Sequence, residues 1–93
     1  MDATRPPDRV KLREGAAAWR EVDGETILLD LSTSEYLGVN RTGTVLWPSI
    51  VVGTTRTELV DHLIAEFGVD RREGEADVDA FLRACEAHNL LER

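Results

Sequence analysis

Between residues 16 and 39 the apolar positions recur every second residue; from residue 45 onward they recur every third and fourth. The first pattern predicts strands and the second helices. Residues 16–22 and 25–31 flank Asp23-Gly24, a pair that favours the tight type I′ turn of a β-hairpin. In the second strand Ile27, Leu29 and Leu31 share one face, while Leu28 and Asp30 share the other. Trp19 is the large apolar contact expected from the first strand. Ser32-Thr33-Ser34 forms a second turn, and residues 35–39 form a third strand. There Leu37 and Val39 point one way, Tyr36 and Gly38 the other. The result is an antiparallel meander whose first and third strands are its edges. The stretch from Ser34 to Asn40 holds neither Pro nor Lys, residues that commonly protect an exposed edge.

Asn40 is a good N-cap, because its side-chain oxygen can accept from the free N–H groups of a following turn. A short helix is expected over about residues 41–47, with Val45, Leu46 and Ile50 on one stripe. Pro48 lacks a backbone donor and disfavours helix at Trp47, so the helix is expected to end or kink there. Thr55 and Glu58 have the spacing of a capping box, opening a second helix over residues 56–67 that Gly68 closes. Leu59, Leu63 and Phe67 supply its apolar stripe. A third helix spans residues 71–88, with Val78, Phe81, Leu82 and Cys85 in line and Asn89 at its end. Three strands followed by three helices make a compact α+β domain. Residues 1–15, polar and broken by Pro6-Pro7, read as a flexible lead-in.

Charge narrows the function. The 93 residues carry a net charge of −7, and residues 58–93 contribute −6 of it, with ten acidic and four basic side chains. Such a surface repels phosphate backbones, which argues against nucleic-acid binding. Cys85 is the single cysteine, so neither an intrachain disulfide nor a cysteine metal cluster is expected. The first 15 residues lack the apolar core of a secretory signal, and no long apolar run is present, so a cytoplasmic location is expected.

Catalytic groups are sparse. His62, beside Asp61 and Glu66, reads as an exposed helical residue, and His88 as a dipole-compatible residue in a last helical turn. Cys85 lies on an apolar stripe and reads as an inert buried thiol. Glu73, Glu75, Asp77 and Asp79 lack the glycine and ligand spacing of a calcium loop; they suit a helix N-terminus and solvent. Trp19 and Trp47 read as packing residues. Neither catalysis, a metal nor a cofactor is expected.

The order of motifs carries a resemblance. Thr26-Ile27-Leu28-Leu29-Asp30-Leu31 leads into Glu35-Tyr36-Leu37-Gly38-Val39-Asn40-Arg41-Thr42-Gly43 and then Val45-Leu46-Trp47. The capping box at Thr55, the run from Glu58 to Leu63, Val69-Asp70 and the run from Asp77 to Glu92 complete it. This pattern, over residues 16–92, resembles the PqqD family of RiPP recognition elements. The resemblance implies a winged-helix-like fold, a flexible segment at 1–15 and a peptide-recognition domain at 16–93. It implies recognition of the leader of a ribosomally synthesised precursor peptide, which adds as an antiparallel strand to the third strand and lies against the third helix. Stand-alone acidic members of this length resemble the recognition half of the leader-processing system of lasso-peptide pathways, whose other half is a cysteine-protease-like peptidase.

Strand addition gives affinity through backbone hydrogen bonds and specificity through pockets for alternate side chains. The expected peptide-binding residues are Ser34, Glu35, Tyr36, Leu37 and Gly38 on the strand, and Asp77, Val78, Phe81, Ala84 and Cys85 on the helix. Leu37, Val78, Phe81 and Cys85 also serve the core, since the same stripe must cover the sheet. Three alternatives stay open. One is a PqqD-like peptide chaperone for a radical tailoring enzyme, another a winged-helix DNA-binding protein, and the third a small hydrolase using Cys85 or His62. Without peptide, the exposed third strand could pair with its own copy as an edge-strand homodimer.

Overall fold

The computed structural model describes residues 9–92. The expected hairpin is β2 (Ala17–Val22) and β3 (Glu25–Asp30), and the third strand is β4 (Glu35–Val39). They form one antiparallel sheet in the order β2-β3-β4. Asp23 and Gly24 both have positive φ, 53° and 79°, as a type I′ turn demands. A second left-handed residue, Ser34 at φ 64°, turns β3 into β4.

The sheet packs through Leu28, which lies opposite Trp19 on β2 and Leu37 on β4. It therefore turns Thr26, Leu28 and Asp30 inward, and these are buried. Ile27 and Leu29 on the opposite face are half-buried, and Leu31 beyond them is exposed. The face richer in aliphatic residues is thus the outer one. An inward Asp30 is tolerable because its carboxylate is fully engaged, as described below. Trp19 does meet the core, edge-on to Trp47 with centroids 5.5 Å apart, yet it stays 42% exposed.

Three helices follow: α1 (Arg41–Val52), α2 (Arg56–Phe67) and α3 (Arg71–Ala87). Asn40 caps α1 by accepting from Gly43 N–H at 2.9 Å. Of the two outcomes expected at Pro48, an end or a kink, the helix does not end there; it runs on to Val52. An interior proline costs about 3 kcal/mol. Leu46, Trp47 and Ile50 are 0–1% exposed around it, and holding them in the core requires the helical path to continue. Both halves of the capping box at Thr55 and Glu58 are present on α2, and Gly68 closes it at φ 69°. Asp70 caps α3, accepting from Glu73 N–H at 2.8 Å. Asn89, at φ 57°, ends α3 in a Schellman turn: Leu90 N–H donates to Cys85 C=O and Asn89 N–H to Glu86 C=O.

The chain before the sheet was expected to be a flexible lead-in. Its residues 1–8 lie outside the described residues, but from Arg9 onward it is built into the fold. β1 (Arg9–Val10) pairs antiparallel with β5 (Thr54–Thr55), and Leu12 bridges to Leu91. Val10 and Leu12 are buried. Arg13 donates from Nε and Nη2 to Asn89 C=O at 3.0 and 2.8 Å, which fastens this strap to the end of α3. Two-residue strands joined to sequence-distant partners leave no periodic signal.

Gly43 explains the Thr42-Gly43 step of the sequence. A Cβ there would stand 2.5 Å from the Phe81 ring and would also meet Val39. The bare backbone lets α1, β4 and α3 converge. Gly43→Ala is expected to destabilise the domain by about 1–3 kcal/mol through overpacking, despite alanine's better helix propensity. Chemical denaturation measures this, and a stabilised variant would contradict the packing.

Candidate functional site

β4 is an edge strand, paired to β3 on one side. Among the described residues no other backbone group hydrogen-bonds to residues 35–39, so its outer N–H and C=O groups are available. Beside it a groove of about 500 Å³ separates β4 from α3. Leu28 and Leu37 line it from the sheet, Phe81, Ala84 and Cys85 from α3, and Leu90 from the turn beyond. Gly38 also lines it, although position 38 belongs to the outer face of the sheet. Backbone alone reaches there, so the groove runs along the open edge of the strand.

The α3 wall repeats at helical spacing. Asp77, Ala80, Phe81, Ala84, Ala87 and His88 occupy one face, each three or four residues from at least one other of the set. Alanines hollow the wall and Phe81 and Leu37 give it apolar relief. Cys85 is 2% exposed, and burial together with the Glu86 charge pushes its thiol up to about 12. It remains protonated at neutral pH and acts as a small apolar surface.

His88 closes one end. Its Nδ1 is 2.9 Å from Asp30 Oδ2 and 3.9 Å from Glu35 Oε1. Asp30 Oδ1 accepts from the Ser32 hydroxyl at 2.8 Å, from Ser32 N–H at 2.9 Å and from Thr33 N–H at 3.3 Å. Those bonds, the Ser32 hydroxyl foremost and then His88, hold the Asp30 carboxyl well below the ordinary 3.8 although desolvation opposes them. Asp30, Glu35 and His88 are the one group with metal-ligand proximity among the described residues. Both Asp30 oxygens are already occupied by donors, which makes the cluster a latch between the β3–β4 turn and α3. A depressed carboxyl stabilises the fold fully above its unfolded value and loses that effect as pH falls below it. Stability is therefore expected to drop below about pH 4 more steeply in the wild type than in Asp30→Asn. Thermal melts between pH 3 and 6 give the comparison; parallel curves would remove Asp30 from the account.

The expected site residues are only partly brought together. Leu37, Gly38, Asp77, Phe81, Ala84 and Cys85 line the groove. Val78 is completely buried beneath it. Tyr36 pairs with Leu29 on the outer face and is 74% exposed, away from the groove. Ser34 sits in the turn, and Glu35 stands at the strand's start beside His88. Sequence reasoning missed Leu28, Val39, Asn40, Thr42, Ala80, Ala87, His88 and Leu90 as lining residues. The alanines were legible as the helix face neighbouring the apolar stripe, but their role needs a hollow, and a hollow exists only once α3 is placed against the sheet. The other candidates converge on nothing: His62 and Cys85 belong to no cluster of three ligating groups among the described residues.

Comparison with known proteins fits this geometry. The family model described as coenzyme PQQ synthesis protein D (PqqD) matches residues 25–91. A solved structure described as TbiB1 in complex with the TbiA(beta) leader peptide is 36% identical, with a TM-score of 0.79 over 89% of this chain and 95% of that one. A second, lasso peptide synthetase B1 complexed with the leader peptide, shares the fold at 21% identity, with a TM-score of 0.76 over 92% of this chain and 99% of that one. No curated protein matches the chain. With the meander, the three helices and the Asn40 to Gly43 corner in place, and with the family model covering most of its length, the chain belongs to the PqqD family.

Proposed function

We propose that this protein is a non-catalytic recognition element for the leader of a ribosomally synthesised precursor peptide, within lasso-peptide biosynthesis. The observation that carries the reading is the unpaired edge of β4 opening onto an apolar groove. The leader adds as a strand on β4, its backbone completing the ladder and its alternate side chains entering the groove. The 36% identical relative was solved with a leader peptide, which supports the same occupant here. The protein then presents the leader to a cysteine-protease-like leader peptidase, working in the cytoplasm. No helix among the described residues is long and apolar enough to cross a membrane. A PqqD-like chaperone serving a radical tailoring enzyme is the second reading, favoured by the description of the matching family model. Both readings use the same edge and differ in the enzyme served. Binding to DNA is disfavoured because α3 carries acidic side chains where a recognition helix needs cations. Without peptide, β4 is free to pair with β4 of a second copy, and leader and dimer then compete.

Titration with a synthetic lasso-precursor leader peptide, followed by amide NMR, tests the reading. Binding at micromolar or tighter affinity is expected, with the largest shifts at residues 33–39 and on the groove face of α3. Saturable binding that leaves those amides unmoved would sink it. Addition of peptidase or radical enzyme to the complex separates the two readings.

A further inference from the structure

The groove is apolar along its floor but has one carboxylate in its wall. Asp77 is half-buried and lines the end nearest Val39 and Asn40. It has no hydrogen-bond or ion-pair partner among the described residues. Of the acidic residues nearby, Asp79 holds Arg56 at 2.7 and 2.9 Å, Asp61 holds Arg71 at 2.7 Å and Asp70 caps α3, while Glu73 and Glu75 do not line the groove. Of the other polar side chains lining the groove, Asn40 is engaged by Gly43 N–H, His88 by Asp30, and Thr42 brings a neutral hydroxyl. Arg41, on the adjoining helix, stacks over the Phe67 ring at 5.3 Å. A strand laid on β4 would strip more water from Asp77, and a buried carboxylate without a partner is costly. The occupant must therefore bring the missing cation.

We propose that Asp77 selects a lysine or arginine side chain of the bound peptide, a refinement that rests on the groove reading above. Geometry fixes where that side chain stands. Two residues of an extended peptide advance about 6.7 Å, close to the roughly 6 Å that separates helix positions four apart. Groove-facing side chains at alternate peptide positions thus come into step with Asp77, Phe81 and Cys85. The matching peptide carries a basic residue, then apolar residues two and four positions along. The net charge of −7 adds a field that draws such a cationic strand toward the protein.

The test is selection of a random twelve-residue peptide library, displayed on phage, against the full chain and its Asp77→Asn and Asp77→Lys variants. Asp77 is on the helix surface, and unchanged melting of the variants confirms that the fold is kept. Wild type is expected to enrich Lys or Arg at one fixed offset from apolar anchors. Asp77→Asn is expected to lose that enrichment and to bind the selected peptides roughly ten-fold more weakly. Asp77→Lys is expected to turn the preference toward Asp or Glu. Selected peptides that shift the β4 amides but show no basic preference, or an equal one in Asp77→Asn, overturn the role of Asp77 and leave the groove reading standing. Selected peptides that leave the β4 amides unmoved overturn both.

Discussion

Tyr36→Pro is expected to abolish leader binding in a protein that still folds. Tyr36 lies within β4 with its side chain exposed on the outer face; Leu28 and Leu37 exchange backbone bonds across β3 and β4, so the N–H and C=O of Tyr36 point to the open edge. Proline removes one backbone donor and locks φ away from the extended values of the strand, which disturbs its neighbours too. Strand addition depends on several consecutive backbone bonds, each worth a net 0.5–1.5 kcal/mol or so. Loss of two with their alignment weakens binding by roughly ten- to a hundred-fold. The variant must be shown to fold, by circular dichroism and melting, because β4 also pairs with β3. A leader N-methylated at alternate residues gives the same information with the protein untouched. One methylation register should bind normally and the other fail. A folded Tyr36→Pro protein with wild-type affinity, or indifference to both registers, would exclude a strand-addition mode.

Trp47→Ala is expected to produce the largest loss of stability of any single change, about 3–5 kcal/mol. Trp47 is 1% exposed, sits beside Pro48 in α1 and holds Trp19 edge-on. A domain of this size has little more than that in reserve, so the variant should be largely unfolded at 37 °C. The indole has a further property: its Nε1–H is buried with no acceptor among the described residues. Trp47→Phe removes that unsatisfied donor while keeping most of the apolar volume, and is expected to cost much less than Trp47→Ala. Urea denaturation of the three proteins provides the comparison. Equal losses in the two variants would mean that the lost volume does not decide at this site and that the indole itself does.

The elements most legible in the sequence were those whose signals are local. Asp23-Gly24, Asn40, the Thr55–Glu58 box, Gly68 and Asn89 each mark a boundary through the backbone groups they satisfy or the φ they permit, and each boundary stands there. Pro48 left the end of the helix open because a local penalty was weighed without the burial of Leu46, Trp47 and Ile50, which outweighs it. The sheet faces were separable by alternation, but which face turns inward was not. That choice depends on Asp30 finding His88, a partner 58 residues away. The same limit governs the site. Leu37, Phe81 and Cys85 were legible as apolar residues near the strand, whereas Ala80, Ala87 and His88 became groove residues through the placement of α3. Tyr36 drew attention as an aromatic beside the edge, yet alternation had already put it opposite Leu37, on the face away from α3.

The strap that begins at Arg9 brings two distant parts of the chain to one spot. Glu92 N–H donates to Lys11 C=O at 2.8 Å, and Arg13 N–H to Leu90 C=O at 2.7 Å. The path into the domain and the path out of it therefore run side by side, remote in sequence and adjacent in space. A domain with this property behaves as a cartridge. A host chain can leave one of its own loops, pass through the whole unit and return to almost the same point, adding little to the entropy of closing that loop. Recognition by β4 and α3 can thus be transplanted into a larger enzyme without redesign of either partner's core.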